Sequence, residues 1–374
     1  DRTAARVTLP FIYEPARHQP MRLLPVRIDP PSLADQTDDW SRLKRQLAAS
    51  YGVFHLEADL GVLRKLATTL RAADWTVSAV VEMDTWNHPE GPPRLVDLRP
   101  GEQSGPLWGT ALDIGTTTVS MYLVDLMSGE VATRVAEYNA QIRRGEDIIS
   151  RIIYASKNNG LAELQDLIIG TINELIERAA RRVGIQPLHI YKMTVAGNST
   201  MIHLLLGLPP ESIRLEPFVT TINHPPPARA AELGIAIHPQ ATVDCLPGIS
   251  SYVGADIAAG VLGSQMCDSS RLTLFLDVGT NGEMVLGDCD WLISCACSAG
   301  PAFEGAGVLH GMRATVGAIE EVWINSDTYE PSYRVIPDPK LEAQGKRTPP
   351  RGICGSGLIS LLAELFITGL IDKA

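Results

Sequence analysis

The sequence predicts an α/β fold in which one half is duplicated. Two similar segments carry this prediction: residues 112–118 read LDIGTTT, and residues 276–283 read LDVGTNGE. Each segment follows an apolar run with the character of a strand, and a second apolar run, a turn and a third run come after it. Two copies of one strand–turn–strand motif indicate an internal duplication around a shared ligand.

The chain divides into an arm and two domains. Residues 1–30 are rich in Pro and Arg and show little periodicity, so they predict a linker or an arm that lies on a surface. Residues 31–105 predict a small α/β domain, which ends in a Pro- and Gly-containing segment. The larger, duplicated domain is predicted over residues 106–374.

Helices and strands follow from the spacing of apolar residues. In the small domain, the sequence predicts helices over 40–47 and 60–70 and a strand over 75–83. In the larger domain, it predicts helices over 145–157 and 161–183 and a strand over 189–195. The last strand delivers residues 196–198 to its carboxyl end, where ligands of open α/β sheets gather.

The two turns suit the binding of phosphate. Gly115 and Gly279 allow the backbone to approach an anion closely, and successive N–H groups with Thr hydroxyls can surround phosphate oxygens. Asp113 and Asp277 stand at the ends of the two strands, where they are placed to hold magnesium through water. One such turn is also an ordinary hairpin signal, but two copies favour a nucleotide held from both sides.

The paired turns resemble the phosphate loops of the actin-like ATPase superfamily, whose duplicated fold is ribonuclease H-like. Residues 352–358, GICGSGL, resemble the adenosine motif of that superfamily, although alone they would also fit a loop or a helix start. The resemblance implies ATP and Mg as cofactors. It also implies nucleotide contacts from Gly115, Thr116, Thr117, Thr118, Gly279, Thr280, Asn281, Gly282, Gly300, Glu304, Gly355, Ser356 and Gly357.

Five polar residues are predicted to serve catalysis: Asp113, Asn198, Asp256, Asp277 and Glu283. Asn198 follows a predicted strand and is a candidate to touch the γ-phosphate, and the alternative is a helix cap. The superfamily places an acidic residue near the catalytic water on its connecting helix, and Asp256 matches that position; the alternative is a surface carboxylate. Glu283 ends the second phosphate turn.

Three further segments narrow the resemblance to the reductive activators of corrinoid proteins: residues 139–152, 196–201 (AGNSTM) and 297–307 (CSAGPAFEGAG). This family implies an ATPase coupled to electron transfer, which reduces the cobalt of a methyltransferase corrinoid protein from Co(II) to Co(I). A homodimer is left open. A small-molecule kinase of the same superfamily and an ATPase activator of a dehydratase remain alternatives.

Composition limits the partners and the compartment. The net charge of −11 argues against nucleic acid, no apolar run reaches the roughly 20 residues of a membrane helix, and no secretory signal opens the chain. Six cysteines without a disulfide framework fit a cytoplasmic protein. Cys295 and Cys297 are expected to be small buried side chains near the nucleotide.

Two expectations concern what lies beyond this chain. The family carries a [2Fe–2S] cluster in an N-terminal domain, but no cysteine precedes Cys245, so the cluster is expected only in an upstream domain. The family's actin-like domain continues beyond the adenosine motif. We therefore also expect this domain to be incomplete at its C-terminus.

Overall fold

A computed structural model shows a mixed α/β chain made of two compact units. It describes the following residues: Glu14, 18–83, 91–279, 281–298 and 308–372. The first unit is Asp1–Ala259 and the second is Gly260–Ala374, and each is described by itself. Within the described ranges, no helix has both the length and the apolar character that crossing a bilayer requires.

The first unit begins with a four-stranded sheet and two helices. The strands are β1 (Met21–Arg27), β2 (Glu57–Ala58), β3 (Thr76–Glu82) and β4 (Arg94–Pro100), and the helices are α1 (Asp39–Tyr51) and α2 (Leu60–Ala72). The strand order is β1-β3-β4-β2. Leu43, Leu47 and Leu70 from the helices pack with Val77 and Leu95 from the sheet, so the predicted small α/β domain has a core of its own.

Local sequence explains where α1 begins and ends. The Asp38 side chain accepts a hydrogen bond from the backbone N–H of Ser41, which satisfies one of the free donors of the first turn. Gly52 follows the last turn in the left-handed conformation, with φ +68°, which glycine adopts without a steric penalty.

The prediction that residues 1–30 form a linker or an arm is wrong for residues 21–27. Met21–Arg27 form β1, which pairs antiparallel with β3 along its whole length. The proline content had suggested an irregular segment. However, β1 is an edge strand, and an edge strand tolerates a proline such as Pro25 because the N–H groups on its outer side need no partner strand. Met21 and Val26 are buried, which supplies the energy that holds this segment on the sheet.

A six-stranded sheet forms the larger part of the first unit. Its strands are β5 (Trp108–Ile114), β6 (Thr118–Asp125), β7 (Val131–Tyr138), β8 (Ile190–Gly197), β9 (Ala228–Arg229) and β10 (Thr242–Cys245). The order is β7-β6-β5-β8-β10-β9. β5, β6 and β7 form an antiparallel meander, while β8 runs parallel to both β5 and β10.

Helices connect and follow strands β7, β8, β9 and β10 along the chain. They are α3 (Ile148–Ala155), α4 (Gly160–Val183), α5 (Ser199–Leu206), α6 (Glu211–Arg214), α7 (Ala230–Leu233) and α8 (Ala255–Ser264). The predicted apolar stripe of α4 is confirmed, because Leu164, Ile168 and Ile172 are buried in the core beneath the sheet. The predicted helix over 145–157 starts later, since Asp147 caps α3 by accepting from the Ser150 N–H.

The second unit contains two three-stranded sheets. β11 (Thr273–Val278), β12 (Asn281–Gly287) and β13 (Leu292–Ser298) form an antiparallel meander like β5–β7. The other elements are β14 (Ala318–Ile324), β15 (Pro331–Val335), α9 (Pro339–Glu342), β16 (Gly352–Ile353) and α10 (Gly355–Ile367). The repeated meander confirms the duplication of local structure that the two sequence motifs predicted.

Candidate nucleotide-binding site

The first phosphate turn joins β5 to β6 and needs its glycine for steric reasons. The Gly115 N–H donates to the Thr118 carbonyl at 3.0 Å, which closes the turn. A Cβ on Gly115 would lie 2.6 Å from that same carbonyl oxygen, closer than a real contact allows. The glycine is therefore required by the turn itself, in addition to the open approach that it offers an anion.

Buried side chains hold the carbonyl groups of this turn. The Asn139 side chain donates from Nδ2 to the Gly115 carbonyl at 2.9 Å, and its backbone N–H donates to the Thr117 carbonyl at 2.9 Å. The guanidinium of Arg151, which is fully buried, donates to the Thr116 carbonyl. These bonds keep the negative ends of three peptide groups away from the position that phosphate oxygens would take.

Sequence reasoning missed Asn139 and Arg151 as residues of the site. Both lie in the segment 139–152, which carried the family resemblance but was assigned no role. Arg151 also donates from Nε to the Gly145 carbonyl at 2.9 Å, so the loop before α3 is tied to the same guanidinium. A buried arginine in an otherwise apolar helix was the available signal, because such a group needs several acceptors.

Asn198 caps α5 and also touches the first turn. Its Oδ1 accepts from the Met201 N–H at 3.0 Å, and its Nδ2 donates to Thr116 Oγ1 at 3.3 Å. The capping alternative is thus confirmed, while contact with a γ-phosphate stays a prediction. A Cβ on Gly197 would lie 2.9 Å from the Ile114 carbonyl, so this glycine lets β8 approach β5 beside the turn.

Asp113 and Asp256 lie on elements that meet near Asn198. Asp113 is exposed on β5, opposite Ser120 of β6 and Ala196 of β8. Asp256 is partly buried in the first turn of α8. A Cβ on Gly254 would lie 2.5 Å from Asn198 Cα and 2.8 Å from Asp256 Oδ1, so this glycine packs the start of α8 against the start of α5.

The second turn joins β11 to β12 and is one residue shorter. Val278 pairs with Gly282 across this turn, whereas Ile114 pairs with Val119 across the first. The Gly279 N–H donates to the Asn281 carbonyl at 2.8 Å. Asp277 is exposed and faces Glu283 on the paired strand.

Three predicted residues cannot be placed: Thr280, Gly300 and Glu304 lie outside the described residues. Glu283 is 8% exposed, so a carboxylate that the sequence assigned to a turn end is largely buried. The expectation that Cys295 and Cys297 are buried is wrong. Both are exposed on β13, because that strand belongs to a sheet whose described side chains are mostly exposed.

The adenosine motif forms the start of α10. Gly355 is its first residue, and Ser356 is exposed within the first turn, 3.2 Å from the Cys354 sulfur. A Cβ on Gly357 would lie 2.3 Å from the Ile319 carbonyl of β14. Gly357 thus brings the helix onto the strand, and the helix N-terminus presents backbone donors of the kind that polar ligand groups use.

Models of known families match the chain along nearly its whole length. The RACo linker region matches residues 16–105, the RACo middle region residues 108–269, and the C-terminal domain of RACo, the ASKHA domain, residues 271–374. Fold and matches together define a protein of the actin-like, or ASKHA, class. More narrowly, the chain belongs to the RACo family of corrinoid activators, as its sequence motifs predicted.

Individual relatives agree with this placement. The corrinoid activation enzyme RamQ of Eubacterium limosum is 37% identical over 325 residues, which are 84% of this chain and 53% of RamQ. A [Co(II) methylated amine-specific corrinoid protein] reductase of Methanosarcina barkeri is 26% identical over 290 residues, which are 71% of this chain and 52% of that protein.

A solved structure agrees as well. The reductive activator for corrinoid, iron-sulfur protein is 42% identical with a TM-score of 0.81, and the match covers 95% of this chain and 54% of that one. The chain therefore spans about half the length of the relatives it matches.

Proposed function

We propose that this chain is the nucleotide-binding part of an ATP-dependent reductive activator, which returns a methyltransferase corrinoid protein from Co(II) to Co(I). The proposal rests on the structure of the first phosphate turn. That turn requires glycine at position 115 for steric reasons, and the side chains of Asn139 and Arg151 bind its Gly115 and Thr116 carbonyl groups. The family matches support the reaction class, since two relatives are named for corrinoid activation or corrinoid reduction.

The residues of the turn have separate roles in this proposal. Backbone N–H groups and hydroxyls of residues 116–118 surround phosphate oxygens, and the Asn198 amide keeps Thr116 in position through their 3.3 Å hydrogen bond. Asp113 offers carboxylate oxygens at the exposed end of β5. Oxygen ligands of this kind suit Mg²⁺, which Asp113 would hold and which would offset the negative charge of the phosphates.

ATP is needed because the reduction is unfavourable. Binding energy that differs between two conformations shifts the equilibrium between them, so ATP can favour the complex in which the electron is trapped on cobalt. Hydrolysis of ATP by water to ADP and phosphate then resets the protein. A [2Fe–2S] cluster would supply the one-electron relay that protein side chains do not supply.

Nucleotide binding is the first test. Isothermal titration with Mg-ATP should show one site, and Gly115→Ala should abolish the heat, with circular dichroism reporting whether the variant folds. Because Gly115→Ala also strains the turn, Thr117→Val is the second variant, which removes one hydroxyl and keeps the shape. Wild-type protein that binds no Mg-ATP would refute the proposal.

The partner is tested separately from the nucleotide. We expect gel filtration to show a complex between this chain and a Co(II) corrinoid protein, and we expect that protein to accelerate ATP hydrolysis. A panel of sugars and carboxylates is the comparison, because a kinase would instead phosphorylate one of them. Acceleration by a panel member and none by the corrinoid protein would favour the kinase alternative.

A further inference from the structure

Four charged side chains lie buried where the first sheet packs against the second. Lys192 of β8 donates to Glu82 Oε1 of β3 at 2.8 Å and forms an ion pair with Asp244 of β10. Arg94 of β4 donates from Nη2 to Glu82 Oε2 at 2.8 Å. Glu82, Lys192 and Asp244 are each less than a tenth exposed.

The hydrogen bonds of this cluster cross from one sheet to the other. Arg94, on the first sheet, also donates to the Gln240 carbonyl and to Thr242 Oγ1, both at 2.9 Å. Thr242, on the second sheet, donates to Glu82 Oε2 at 2.7 Å. Glu82 therefore takes its partners from three strands, and the network is complete only while the two sheets are in contact.

An apolar cluster also forms between residues of the two sheets and the segments beside them: Met21, Val80, Val96, Leu107, Leu126 and Tyr191. The Tyr191 hydroxyl of β8 donates to Asp97 Oδ2 of β4 at 2.7 Å, and Arg99 Nε donates to the same hydroxyl at 3.0 Å. The contact between the two sheets, here called the seam, thus combines apolar packing with directional bonds, an arrangement that fixes one relative position rather than a range of positions.

Each charge in the cluster depends on its partners. Burial alone would raise the pKa of Glu82, but the charges of Lys192 and Arg94 hold it below its usual value. Asp244 depends on Lys192 most strongly, because both of its carboxylate oxygens are buried without a hydrogen bond and the ion pair with Lys192 compensates their charge. Loss of the ammonium would leave the buried Asp244 carboxylate uncompensated and would leave Glu82 with Arg94 as its remaining cation, which is far more costly than loss of an exposed pair.

We infer that the four-stranded and six-stranded sheets open and move as one rigid body, with Lys192 as the positioning residue that joins them. β8 carries Lys192 and ends at Gly197, next to Asn198 and the first phosphate turn. The region that resembles a linker is therefore not a hinge: it keeps its orientation to that turn. This inference does not rest on the proposed function, because it concerns the packing of two sheets.

Native-state hydrogen exchange in increasing urea tests the inference without nucleotide. In the wild-type chain, peptides over β3 and β4 should open together with peptides over β8 and β10, with the same free energy and the same urea dependence. In Lys192→Met, β3 and β4 should open at lower urea than β8. Arg71→Met is the matched control, because Arg71 pairs with Asp39 inside the four-stranded region and is exposed.

Each outcome supports or overturns the inference. Separate opening of the two sheets in the wild-type chain overturns it directly. If the two sheets still open together in Lys192→Met, Lys192 does not join them. The same conclusion follows if Arg71→Met separates them equally. If Lys192→Met fails to fold, Glu82→Gln keeps the shape and the bond from Thr242 while removing one charge, and the same separation of β3 and β4 from β8 is expected.

Discussion

The two copies of the phosphate hairpin share a sequence pattern but differ in their packing. In the first copy, Leu112 and Ile114 are 2% and 0% exposed, and β5 has a neighbouring strand on each side. In the second copy, the matching Leu276 and Val278 are 52% and 50% exposed. Among the described strands, β11 pairs with β12 alone.

This difference shows that the motif itself determines the hairpin, whereas the burial of the hairpin depends on the rest of the fold. Each copy forms its hairpin because a few local residues determine the turn: an Asp, a branched residue and a Gly. Burial comes from elements far away in the sequence, such as β8 and α4 for the first copy. A short motif thus predicts local geometry well and stability poorly.

The largest expected effect tests this difference directly. Ile114→Ala removes a fully buried side chain and should lower the free energy of unfolding by about 4 kcal/mol. Val278→Ala removes a half-exposed one at the matching position, and a change within about 0.5 kcal/mol is expected. Urea unfolding followed by circular dichroism measures both. Equal losses would show that the second copy is buried in solution.

Arg151 is expected to have the next largest effect. Arg151→Met leaves the buried Thr116 and Gly145 carbonyls without their donor, which should cost about 3 kcal/mol of stability. The control is Arg144→Met, which breaks an exposed pair with Glu163 and should cost less than about 1 kcal/mol. If both variants unfold alike in urea, the carbonyl bonds of the first turn contribute little.

The carboxylates of the two strands should matter for nucleotide and not for stability. Asp113→Ala and Asp277→Ala are each expected to weaken Mg-ATP binding at least about tenfold, because each removes oxygen ligands placed for magnesium. Isothermal titration on both variants is the measurement, with the exposed Glu130→Ala as control. If Asp113→Ala weakens Mg-ATP binding and Asp277→Ala does not, the shorter second turn has no part in binding.

Sequence reasoning predicted the elements that depend on local pattern. The stripe of α4, the strand that ends beside Asn198 and both hairpins are confirmed, since periodicity and turn residues determine them. The α/β class and the family follow from the same motifs. The roles of the individual site residues stay predictions.

What sequence missed depends on contacts between distant segments. β1 was assigned to an arm, because nothing in residues 21–27 reveals that β3 will pair with them. Arg151 and Lys192 were assigned no role, because each is buried against acceptors that fold in from other elements. The exposure of Cys295 and Cys297 has the same origin, because it is set by the surroundings of β13.

Acidic pH should lower the free energy of unfolding, because a histidine is buried at the seam between the four-stranded and six-stranded sheets. His238 is buried there, and its backbone N–H donates to the Ile190 carbonyl of β8. Burial lowers the pKa of His238 to about 4 from its usual 6.5. The negative charge of Asp97 opposes this lowering of the pKa, whereas the cations Lys65, Arg94 and Arg99 add to it. The Tyr191 ring also lies near the His238 ring, at 5.0 Å between centroids.

The sign of the effect follows from proton binding. Between pH 6.5 and 4 the unfolded chain binds a proton at His238 that the folded chain does not, so the free energy of unfolding falls as pH falls. We expect a loss of about 1 kcal/mol between pH 7.5 and 5.5, measured by urea unfolding. His238→Gln should remove this loss. The raised pKa of Asp244 acts in the opposite direction, so the difference between wild type and His238→Gln is the quantity to compare. Identical pH profiles would show that His238 is accessible to protons in the folded state, and that the seam is looser than its hydrogen bonds indicate.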